Sequence, residues 1–510
     1  MAATTLALGS ASYQLLDALV TTSPNNAPAT GTTATLSAKQ RGGVIGSVVG
    51  GEKLDITVPF GTAAHQVTAF NVSSVSDGVT VRDADWNVVG GTTGSNAAIN
   101  FLANASNAQV LLGGGDNRFN ASRDFVGSTI NAGGGNDSIR IGGAATGSLV
   151  NTGGGNDTLI VGRTSTDFDA NLGAGDDSAM FLGALVAGAD TTMPWDASMH
   201  GQSSVSSIPS TSPTTGMSMQ GQSPVPFSYP TEPGMGTSMP GQSLAPRAYA
   251  NIINMGEGND TASFKGGVTG KYELQMGGGA DTTVFGANSL SSGFLLDTGA
   301  GSDSTVLGWQ TSNAKIQLGS GAFSDTLVLG LGADITNSTI TSYQSSGDRL
   351  SFDGDLMSVG ILLGTGQDSI NLTGTAEFAG TFDSWSLGAG NDTVTLNDGS
   401  DVFGPGLISL GAGADSMLLR NIGDGFMIDL GIDSSTDLIE FAESTSGSDF
   451  GYTGLTINNF GRQDILIIGN DSLTYSGLTS YMSNSYSPDN DASVWGSFFS
   501  SGNRVNRIVS

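Results

Sequence analysis

Cysteine is absent from the 510-residue sequence, and histidine, glutamate and basic residues are scarce. The lack of cysteine excludes a disulfide framework, a thiolate metal site and a thiol nucleophile. The two histidines, His65 and His200, lie far apart and outside any His-Glu-x-x-His motif, which excludes a zinc protease centre of that kind. With 17 basic residues under a formal net charge of −29, the chain cannot neutralise a phosphate backbone, so we expect no nucleic-acid partner.

Long apolar runs are also missing. No stretch reaches the roughly 18–20 apolar residues that a membrane-spanning helix requires, so we expect no transmembrane segment. The first residues, Met1 to Gly9, lack the basic residues of a secretory signal peptide. Because 38% of the residues are hydrophobic, the chain can still bury a core, and wholesale disorder is not expected.

Aspartate and glycine, by contrast, are abundant. Seven of the 46 acidic residues are glutamate, which leaves 39 aspartates beside 78 glycines, a combination typical of tight turns. The pentapeptide Gly-x-Gly-x-Asp occurs ten times, whereas composition alone predicts about one occurrence. One of the ten aspartates, Asp334, is out of phase and is the one copy that chance would explain. The nine in-phase aspartates, each followed by Ser or Thr, are Asp137, Asp157, Asp177, Asp260, Asp281, Asp303, Asp368, Asp392 and Asp415.

The in-phase motifs define a repeat of about 21 residues. Degenerate copies end at Asp325, Asp348 and Asp437, and Asn117 stands where an early copy should have its aspartate. The interval between Asp177 and Asp260 is 83 residues, far longer than one repeat.

Residues 191–247 account for that long interval. This segment is rich in Ser, Pro, Met and Gln and has its own period of 20 residues, with Gly-Gln-Ser at 201–203, 221–223 and 241–243. Removing its 57 residues leaves 26, close to one repeat. We therefore expect a low-complexity loop that interrupts a single coil, either a neutral spacer or a methionine-rich contact surface.

Apolar residues alternate on both sides of each Gly-Asp turn. Ile139 and Ile141 follow Asp137 at this spacing, and Ile130 and Ala132 precede it. Such alternation indicates two short strands per repeat, each with one face inward. Neither strand can bury that face alone, whereas stacked coils share a continuous core. The sequence therefore predicts an all-β fold, a right-handed parallel β-solenoid with about 21 residues and two strands per coil and small terminal caps.

The repeats resemble a known family. Ala132-Gly-Gly-Gly-Asn-Asp137-Ser-Ile-Arg140 and Thr152-Gly-Gly-Gly-Asn-Asp157-Thr-Leu-Ile160 are similar to the Gly-Gly-x-Gly-x-Asp-x-Leu-x nonapeptide of RTX (repeats-in-toxin, haemolysin-type) calcium-binding proteins. The resemblance covers about 113–437 without the insert and implies a β-roll. It also implies that the nine in-phase aspartates, with nearby glycine carbonyls, hold multiple Ca²⁺ ions in oxygen cages.

The chain departs from the family in one respect. RTX proteins often carry a motif every nine residues, which gives two ion columns, whereas this chain has one motif per coil. We therefore expect a single Ca²⁺ column along one edge, with weak or no binding at Asn117 and at the altered 319–325 turn. The alternative is that the aspartates only cap turns by side-chain hydrogen bonds. Stacked carboxylates about 4.8 Å apart would then repel one another without a cation between them.

The two ends differ from the array. Residues 1–50 are expected to form an N-terminal cap or attachment segment, with a short helix at Ser12–Val20, and 51–440 the β-roll array interrupted by 191–247. Residues 441–510 are expected to form a C-terminal cap with a secretion signal, because the tail is similar in placement and character to the uncleaved C-terminal signal of RTX proteins.

The function classes can be ranked from these features. We expect no enzyme, because the sequence has no Gly-x-Ser-x-Gly elbow and no clustered base. Residues 1–110 are too short and too polar for a membrane-active toxin region. The chain resembles bacterial surface-layer and extracellular matrix proteins, so we expect a secreted, calcium-binding structural protein that self-assembles into a surface layer, sheet or filament. Cell-surface polysaccharide is a further possible partner. The alternative is an RTX-type calcium-dependent adhesin or surface ligand-binding protein that uses the 191–247 loop.

Overall fold

The computed structural model describes two main ranges of the chain. These are 96–188 and 251–468, with gaps at 103, 288–289, 320–321, 344–345, 379–383, 398–401, 404, 421–425 and 442–455. Ten further strands, eight before residue 84 and two after 470, are described by their backbone alone, as is Val402–Phe403. The insert at 191–247 falls outside the described residues. So does most of the tail after residue 474, within the 441–510 segment expected to carry the secretion signal, apart from one short strand at Arg507–Val509.

The chain forms a parallel β-solenoid of about 12 turns with about 21 residues per turn, which confirms the predicted fold class. One sheet is built by the strands that follow the aspartate of each motif, and we call it the first sheet. Each of its strands pairs in parallel with the equivalent strand of the next coil, as Ser138–Ile141 does with Thr158–Val161. Its parallel strands in the array are Ala98–Phe101, Arg118–Ala121, Ser138–Ile141, Thr158–Val161, Ser178–Phe181, Thr261–Phe264, Thr282–Phe285, Ser304–Leu307, Thr326–Leu329, Arg349–Phe352, Ser369–Leu372, Thr393–Leu396, Ser416–Leu419, Leu438–Phe441 and Ile465–Ile468.

A second sheet is built by the strands that precede each Gly-Asp turn. Pairing is again parallel and in register, with Asn131, Asn151 and Asn171 side by side. Its strands in the array are Gln109–Leu111, Thr129–Gly134, Leu149–Gly154, Asp169–Ala174, Asn251–Glu257, Tyr272–Gln275, Leu295–Asp297, Lys315–Gln317, Ile335–Thr341, Leu356–Leu362, Ser384–Ser386, Leu407–Ser409, Met427–Asp429 and Thr456–Asn458.

Many coils also contain a third, very short strand, which the sequence indicated only as a looser turn. Two residues are too few to show an alternation, so this strand carries no sequence signature of its own. The separate short strands are Ala105–Ser106, Phe125–Val126, Ser165–Thr166, Leu185–Val186, Val268–Thr269, Ser291–Ser292, Thr311–Ser312, Ala376–Glu377 and Val402–Phe403.

The ends of the sheets change strand direction. At the N-terminal end, Ala3–Leu8 pairs antiparallel with Ala11–Leu16, and Ala18–Pro24 pairs antiparallel with Thr32–Ala38. The helix expected at Ser12–Val20 was therefore wrong: alternating Tyr13, Leu15 and nearby residues form strands that extend the sheets. The remaining N-terminal strands are Ile45–Val49, Leu54–Val58, Ala69–Ser74 and Val79–Asp83.

At the other end, Asp471–Thr474 pairs antiparallel with Ile465–Ile468, and Arg507–Val509 adds a parallel strand to Thr456–Asn458. An antiparallel strand cannot continue a parallel stack of coils, so this pairing closes the regular array of the first sheet. The described residues include no helix, and none therefore that could cross a membrane.

The core lies between the two sheets and follows the predicted alternation. Ile139 and Ile141 of the first sheet and Ile130 and Ala132 of the second are fully buried. The same inward positions in later coils are filled by aliphatic and aromatic residues, up to Trp385, so a single core runs along the stack. The core continues across the insert, because Ser178–Phe181 pairs directly with Thr261–Phe264 and the rings of Phe181 and Phe264 stack 5.2 Å apart.

A buried aspartate ladder as the candidate functional site

Each Gly-Asp turn is possible because its glycines adopt positive φ. In the coil that ends at Asp157, Gly153 has φ 107° and Gly155 has φ 120°, which a residue with a Cβ rarely adopts. A Cβ on Gly153 would also overlap the carbonyl oxygen of Gly133 in the preceding coil. The glycines therefore allow the turns of successive coils to stack closely, with carbonyl oxygens directed along the stack.

The aspartates that end these turns form one hydrogen-bonded ladder. The backbone N–H of Asp137 donates to Oδ1 of Asp157 over 2.7 Å, and the N–H of Asp157 donates to Oδ1 of Asp177 over 2.7 Å. The ladder passes the insert without a break, since the N–H of Asp177 donates to Oδ1 of Asp260 over 2.7 Å. All nine in-phase aspartates of the sequence belong to this ladder, and each is buried.

The ladder has more members than the in-phase motifs indicated. Asp325, Asp348 and Asp437, which the sequence marks as degenerate copies, occupy full positions in it. Asp464 extends it further, accepting from the N–H of Asp437 over 3.1 Å. Sequence reasoning missed Asp464 because the turn before it has Gly461 but no second glycine. The signal that was available is the apolar run Ile465 to Ile468 that follows, at the place where the other coils have their first-sheet strand.

Asp334 lies elsewhere, as its phase indicated. It precedes the strand Ile335–Thr341 of the second sheet, away from the Gly-Asp turns, and its Oδ1 accepts from the N–H of Asp355 over 3.1 Å. The carboxylate of Asp355 in turn accepts from the N–H of Thr375 over 2.8 Å. Asp334 therefore caps backbone on another edge and does not join the ladder.

An outer row of Asn and Asp residues runs beside the ladder, one position earlier in several turns, and sequence reasoning did not single it out. The N–H of Asn136 donates to Oδ1 of Asp116 over 2.8 Å, and the N–H of Asn156 donates to Oδ1 of Asn136 over 2.7 Å. These side chains are exposed and are satisfied by backbone donors. The recurrent Gly-Asn-Asp of the motif was the available signal. Asn recurs at this position of the motif because its side chain accepts a hydrogen bond from the backbone of the next coil.

In ten of the ladder aspartates, one of the two carboxylate oxygens has no hydrogen-bond partner. Oδ1 caps a backbone amide, which is the role that the turn-capping alternative assigned to these residues. Oδ2 is different, because in ten aspartates it is buried and accepts no hydrogen bond from any described group. A buried anionic oxygen without a partner is costly, so the capping role accounts for only half of the carboxylate. The ten are Asp137, Asp157, Asp177, Asp260, Asp281, Asp303, Asp348, Asp368, Asp392 and Asp415.

Asn117 shows what surrounds the Oδ2 position. Its Oδ1 accepts from the N–H of Ala97 over 2.9 Å, as the aspartates accept from the preceding coil. Its Nδ2 donates to the carbonyl oxygens of Gly113, Gly115 and Ala132 over 3.2, 2.8 and 3.1 Å. The position is therefore lined by three acceptors, and an amide N–H₂ satisfies them.

Asp137 occupies the same position one coil further along. The register pairs Gly113 with Gly133 through the Gly114–Gly134 bridge and Asn131 with Asn151, so the equivalent carbonyls are those of Gly133, Gly135 and Thr152. An aspartate there places its Oδ2, which can only accept hydrogen bonds, beside carbonyl oxygens that also can only accept them. Only a cation or a proton can make that arrangement favourable.

The protonation behaviour of the ladder reflects this environment. Burial raises the pKa of Asp137, Asp177 and Asp325 to about 8, well above the ordinary value of 3.8. The hydrogen bond that each accepts from a backbone amide opposes the shift, and the carboxylates of neighbouring coils add to it. Burial also raises the pKa of Asp281, Asp392 and Asp437 to about 7 and that of Asp157, Asp260, Asp303, Asp368 and Asp415 to about 6.

The donor set fits a hard cation. Within the described ranges no three His, Cys, Asp or Glu side chains converge on one point, since each coil supplies one ladder carboxylate. An ion at the Oδ2 position would therefore depend on backbone carbonyls for most of its ligands. Carboxylate and carbonyl oxygens, with no nitrogen or sulfur, are the ligands that Ca²⁺ takes in irregular geometry.

Comparison with known proteins adds no family assignment. No protein-family model, no curated protein and no solved structure matches the chain. What the structure itself defines is the class: a parallel β-solenoid with a stacked aspartate ladder on one edge, consistent with a β-roll type.

Proposed function

We propose that the aspartate ladder is a calcium column and that calcium binding drives folding of the solenoid. The observation that carries this proposal is the ten buried Oδ2 atoms without a partner, at a position where Asn117 uses an amide to reach three carbonyls. A Ca²⁺ ion there would be held by one Oδ2 and the glycine-turn carbonyls. It would replace the repulsion among acceptors by attraction.

Calcium is favoured over a smaller ion by the nature of the ligands. Mg²⁺ demands a near-ideal octahedron at 2.0–2.1 Å and gives up its water reluctantly. Backbone carbonyls fixed by strand pairing cannot adjust to that geometry, whereas Ca²⁺ accepts six to eight oxygens at variable angles. The resemblance of Ala132–Arg140 and Thr152–Ile160 to the RTX nonapeptide supports the same ion.

Coupling of folding to calcium follows from the position of the ladder. Every coil from Asp137 to Asp464 buries a carboxylate, so an ion-free stack carries a dense line of buried negative charge or must take up protons. Binding free energy for ions that bind only the stacked state adds directly to its stability. Low cytosolic calcium would keep the chain unfolded for export through an RTX-type channel, and external calcium would then fold it.

The ion dependence can be tested by circular dichroism. We expect a largely unfolded spectrum in a strong chelator and a cooperative return of β signal on titration with Ca²⁺, but not with Mg²⁺ at the same concentration. A chain that keeps its full β spectrum after exhaustive removal of calcium would refute the proposal.

We propose further that the folded protein is structural, not catalytic, and assembles outside a bacterial cell into a surface layer, sheet or filament. The support is its construction: regular coils make up most of the described residues. Another chain could add a strand beside the strands that end the described pairings, which are Ala3–Leu8, Ala18–Pro24, Asp471–Thr474 and Arg507–Val509. Cell-surface polysaccharide is the partner proposed for anchoring.

Electron microscopy distinguishes this assembly from the alternative function, a calcium-dependent adhesin. The assembling protein is expected to form ordered sheets or fibres in millimolar calcium and to disperse in chelator. Particles that remain monomeric in calcium would contradict self-assembly. If they then bind cells or surface polysaccharide, and lose that binding when residues 191–247 are removed, the adhesin function is supported instead.

A further inference from the structure

We infer that the first described coils, residues 97–136, form a calcium-independent template on which the calcium-dependent coils stack, and that Asn117 defines the boundary. This inference rests on the proposed calcium column and adds a direction and a starting point to its folding. It depends on three observations on the first described coils.

First, the Asn117 amide does what a cation would do in later coils. Its Nδ2 donates to the carbonyls of Gly113, Gly115 and Ala132, and its Oδ1 keeps the ladder bond to Ala97. The side chain is buried, and every acceptor around Nδ2 is satisfied without an ion. This coil therefore carries no buried charge in the column.

Second, the described part of the ladder has no aspartate before Asn117. The preceding position is Ala97, which contributes only its backbone N–H. The strands before it pair in parallel with the array, as Ala69–Ser74 does with Ala98–Phe101. Among the described residues, the first two ladder positions, Ala97 and Asn117, thus hold no carboxylate, and the described column starts at Asp137.

Third, the same coils contain a dense aromatic cluster, as some later coils also do. Phe101, Phe119 and Phe125 are fully buried, and their ring centroids lie 5.3 to 6.1 Å apart in tilted and edge-on arrangements. Such contacts stabilise a core beyond the area that they bury. These coils therefore combine a satisfied turn with strong packing, and neither depends on an ion.

The end of this template offers the next coil a prepared partner. The N–H of Asn117 donates to Oδ1 of Asp137 over 2.7 Å, and Arg118–Ala121 pairs in register with Ser138–Ile141. A coil that docks there with its ion then presents an equivalent backbone N–H and an equivalent strand edge to the next coil. Folding would therefore propagate from residue 137 towards the C-terminus as calcium binds, in the manner of nearest-neighbour repeat proteins.

Hydrogen exchange on the full chain, with peptide-level resolution, tests the template. In a calcium chelator we expect amides of 97–136 to retain protection, while those of the coils after Asp157 exchange freely; calcium then protects the later coils. Uniform exchange along the chain in chelator overturns this inference but leaves calcium-driven folding intact. Uniform protection in chelator overturns the calcium column as well.

Variants at Asn117 test its role separately. Asn117→Asp is expected to add one bound calcium per chain, measured by equilibrium dialysis, and to abolish protection of 97–136 in chelator but not in calcium. Asn117→Ala, which removes the amide without supplying a carboxylate, is the control: it should weaken protection in both conditions and add no ion. An Asn117→Asp protein with unchanged stoichiometry, or with protection in chelator equal to that of the wild type, overturns the inference.

Discussion

The backbone amide of Asp137 donates to Oδ1 of Asp157 over 2.7 Å, while Oδ2 of the same Asp157 carboxylate is buried with no partner. One oxygen thus holds two coils together, and the other is left among carbonyl oxygens. Because the relationship repeats along the ladder, each carboxylate serves two separable functions. Substitutions can remove either function or both.

Asp281 allows the two functions to be separated in the middle of the ladder. Its Oδ1 accepts from the N–H of Asp260 over 2.8 Å, and its Oδ2 is one of the unpartnered atoms. Asp281→Asn keeps the acceptor and turns the other atom into a donor, as at Asn117. We expect this variant to bind one calcium fewer and to be more stable than the wild type in chelator.

The control, Asp281→Ala, removes both oxygens and leaves the N–H of Asp260 buried without an acceptor. That loss should cost about 1–3 kcal/mol in calcium and in chelator alike. Circular dichroism of the two variants along a calcium titration, from chelator to saturation, gives the comparison, because it follows the folded fraction even where the ion-free chain is largely unfolded. If Asn and Ala destabilise the ion-free chain equally, Oδ2 does not face the carbonyls as described.

The raised pKa values predict an unusual pH dependence for the ion-free chain. Burial raises the pKa of Asp177 to about 8 and that of Asp281 to about 7, against 3.8 in the unfolded chain. Between these values the folded state binds more protons than the unfolded state, so its stability falls as pH rises. The free energy of unfolding without calcium should therefore be larger near pH 5 than near pH 8.

Calcium should reverse this trend, because protons compete with the ion for the same carboxylates. In millimolar calcium we expect the protein to be more stable near pH 8 than near pH 5. The measurement is urea denaturation at both pH values, with calcium removed beforehand by dialysis or kept at saturation. An ion-free chain whose stability increases from pH 5 to pH 8 would show that the carboxylates are not buried as charged groups.

The fold could be predicted from the sequence where the pattern is strictly repeated. The alternation of Ile139 and Ile141, and of Ile130 and Ala132, predicted two inward-facing strands, and all four side chains are buried. Repetition made this possible, because each coil repeats the same choice of turn, strand and inward face. The helix expected at Ser12–Val20 failed for the opposite reason: that stretch has no repeated copy, and local propensity yields to pairing with neighbouring strands.

The site was less accessible to sequence reasoning. The nine motif aspartates could be aligned, but the motif alone does not show that Oδ1 bonds to the preceding coil while Oδ2 faces carbonyls. The two oxygens acquire these different surroundings only when coils stack. The three hydrogen bonds that Nδ2 of Asn117 donates to carbonyl oxygens show what surrounds the Oδ2 position. Weak calcium binding at the altered 319–325 turn stays a prediction, while Oδ1 of Asp325 accepts from the N–H of Asp303 over 2.7 Å as in the other coils. Register with the flanking coils holds Asp325 in place despite the different glycine pattern.

A pair of adjacent glycines tests the close stacking of the turns. Gly153 has φ 107°, and a Cβ there would overlap the carbonyl oxygen of Gly133. Gly153→Ala should therefore destabilise the folded protein by about 1–3 kcal/mol or more, and should weaken calcium binding because it displaces a ligand carbonyl. Thermal unfolding in calcium and equilibrium dialysis measure the two effects.

Gly154, the next residue, is the matched control. The nearest heavy atom to a Cβ on Gly154 is the carbonyl oxygen of Ala174 at 3.9 Å, an ordinary van der Waals contact. Gly154→Ala should leave calcium stoichiometry unchanged and shift stability by less than about 1 kcal/mol. Equal destabilisation by the two substitutions would argue against stacked carbonyls as the reason for the glycine pattern.

The insert at 191–247 should be removable without loss of the solenoid. Ser178–Phe181 pairs in register with Thr261–Phe264, and Leu185–Val186 pairs with Val268–Thr269, so the coils on either side contact each other directly. Replacing the 57 residues by a short Gly-Ser linker only shortens a loop, which changes closure entropy by about 1 kcal/mol. We expect the deletion protein to fold cooperatively with calcium and to bind as many ions as the full chain. The control deletion, Thr158 to Asp167, removes half a coil and takes every later strand out of register, so that variant should lose cooperative folding. Circular dichroism and calcium titration compare the two deletion proteins. If both proteins behave alike, the flanking coils do not stack directly on each other.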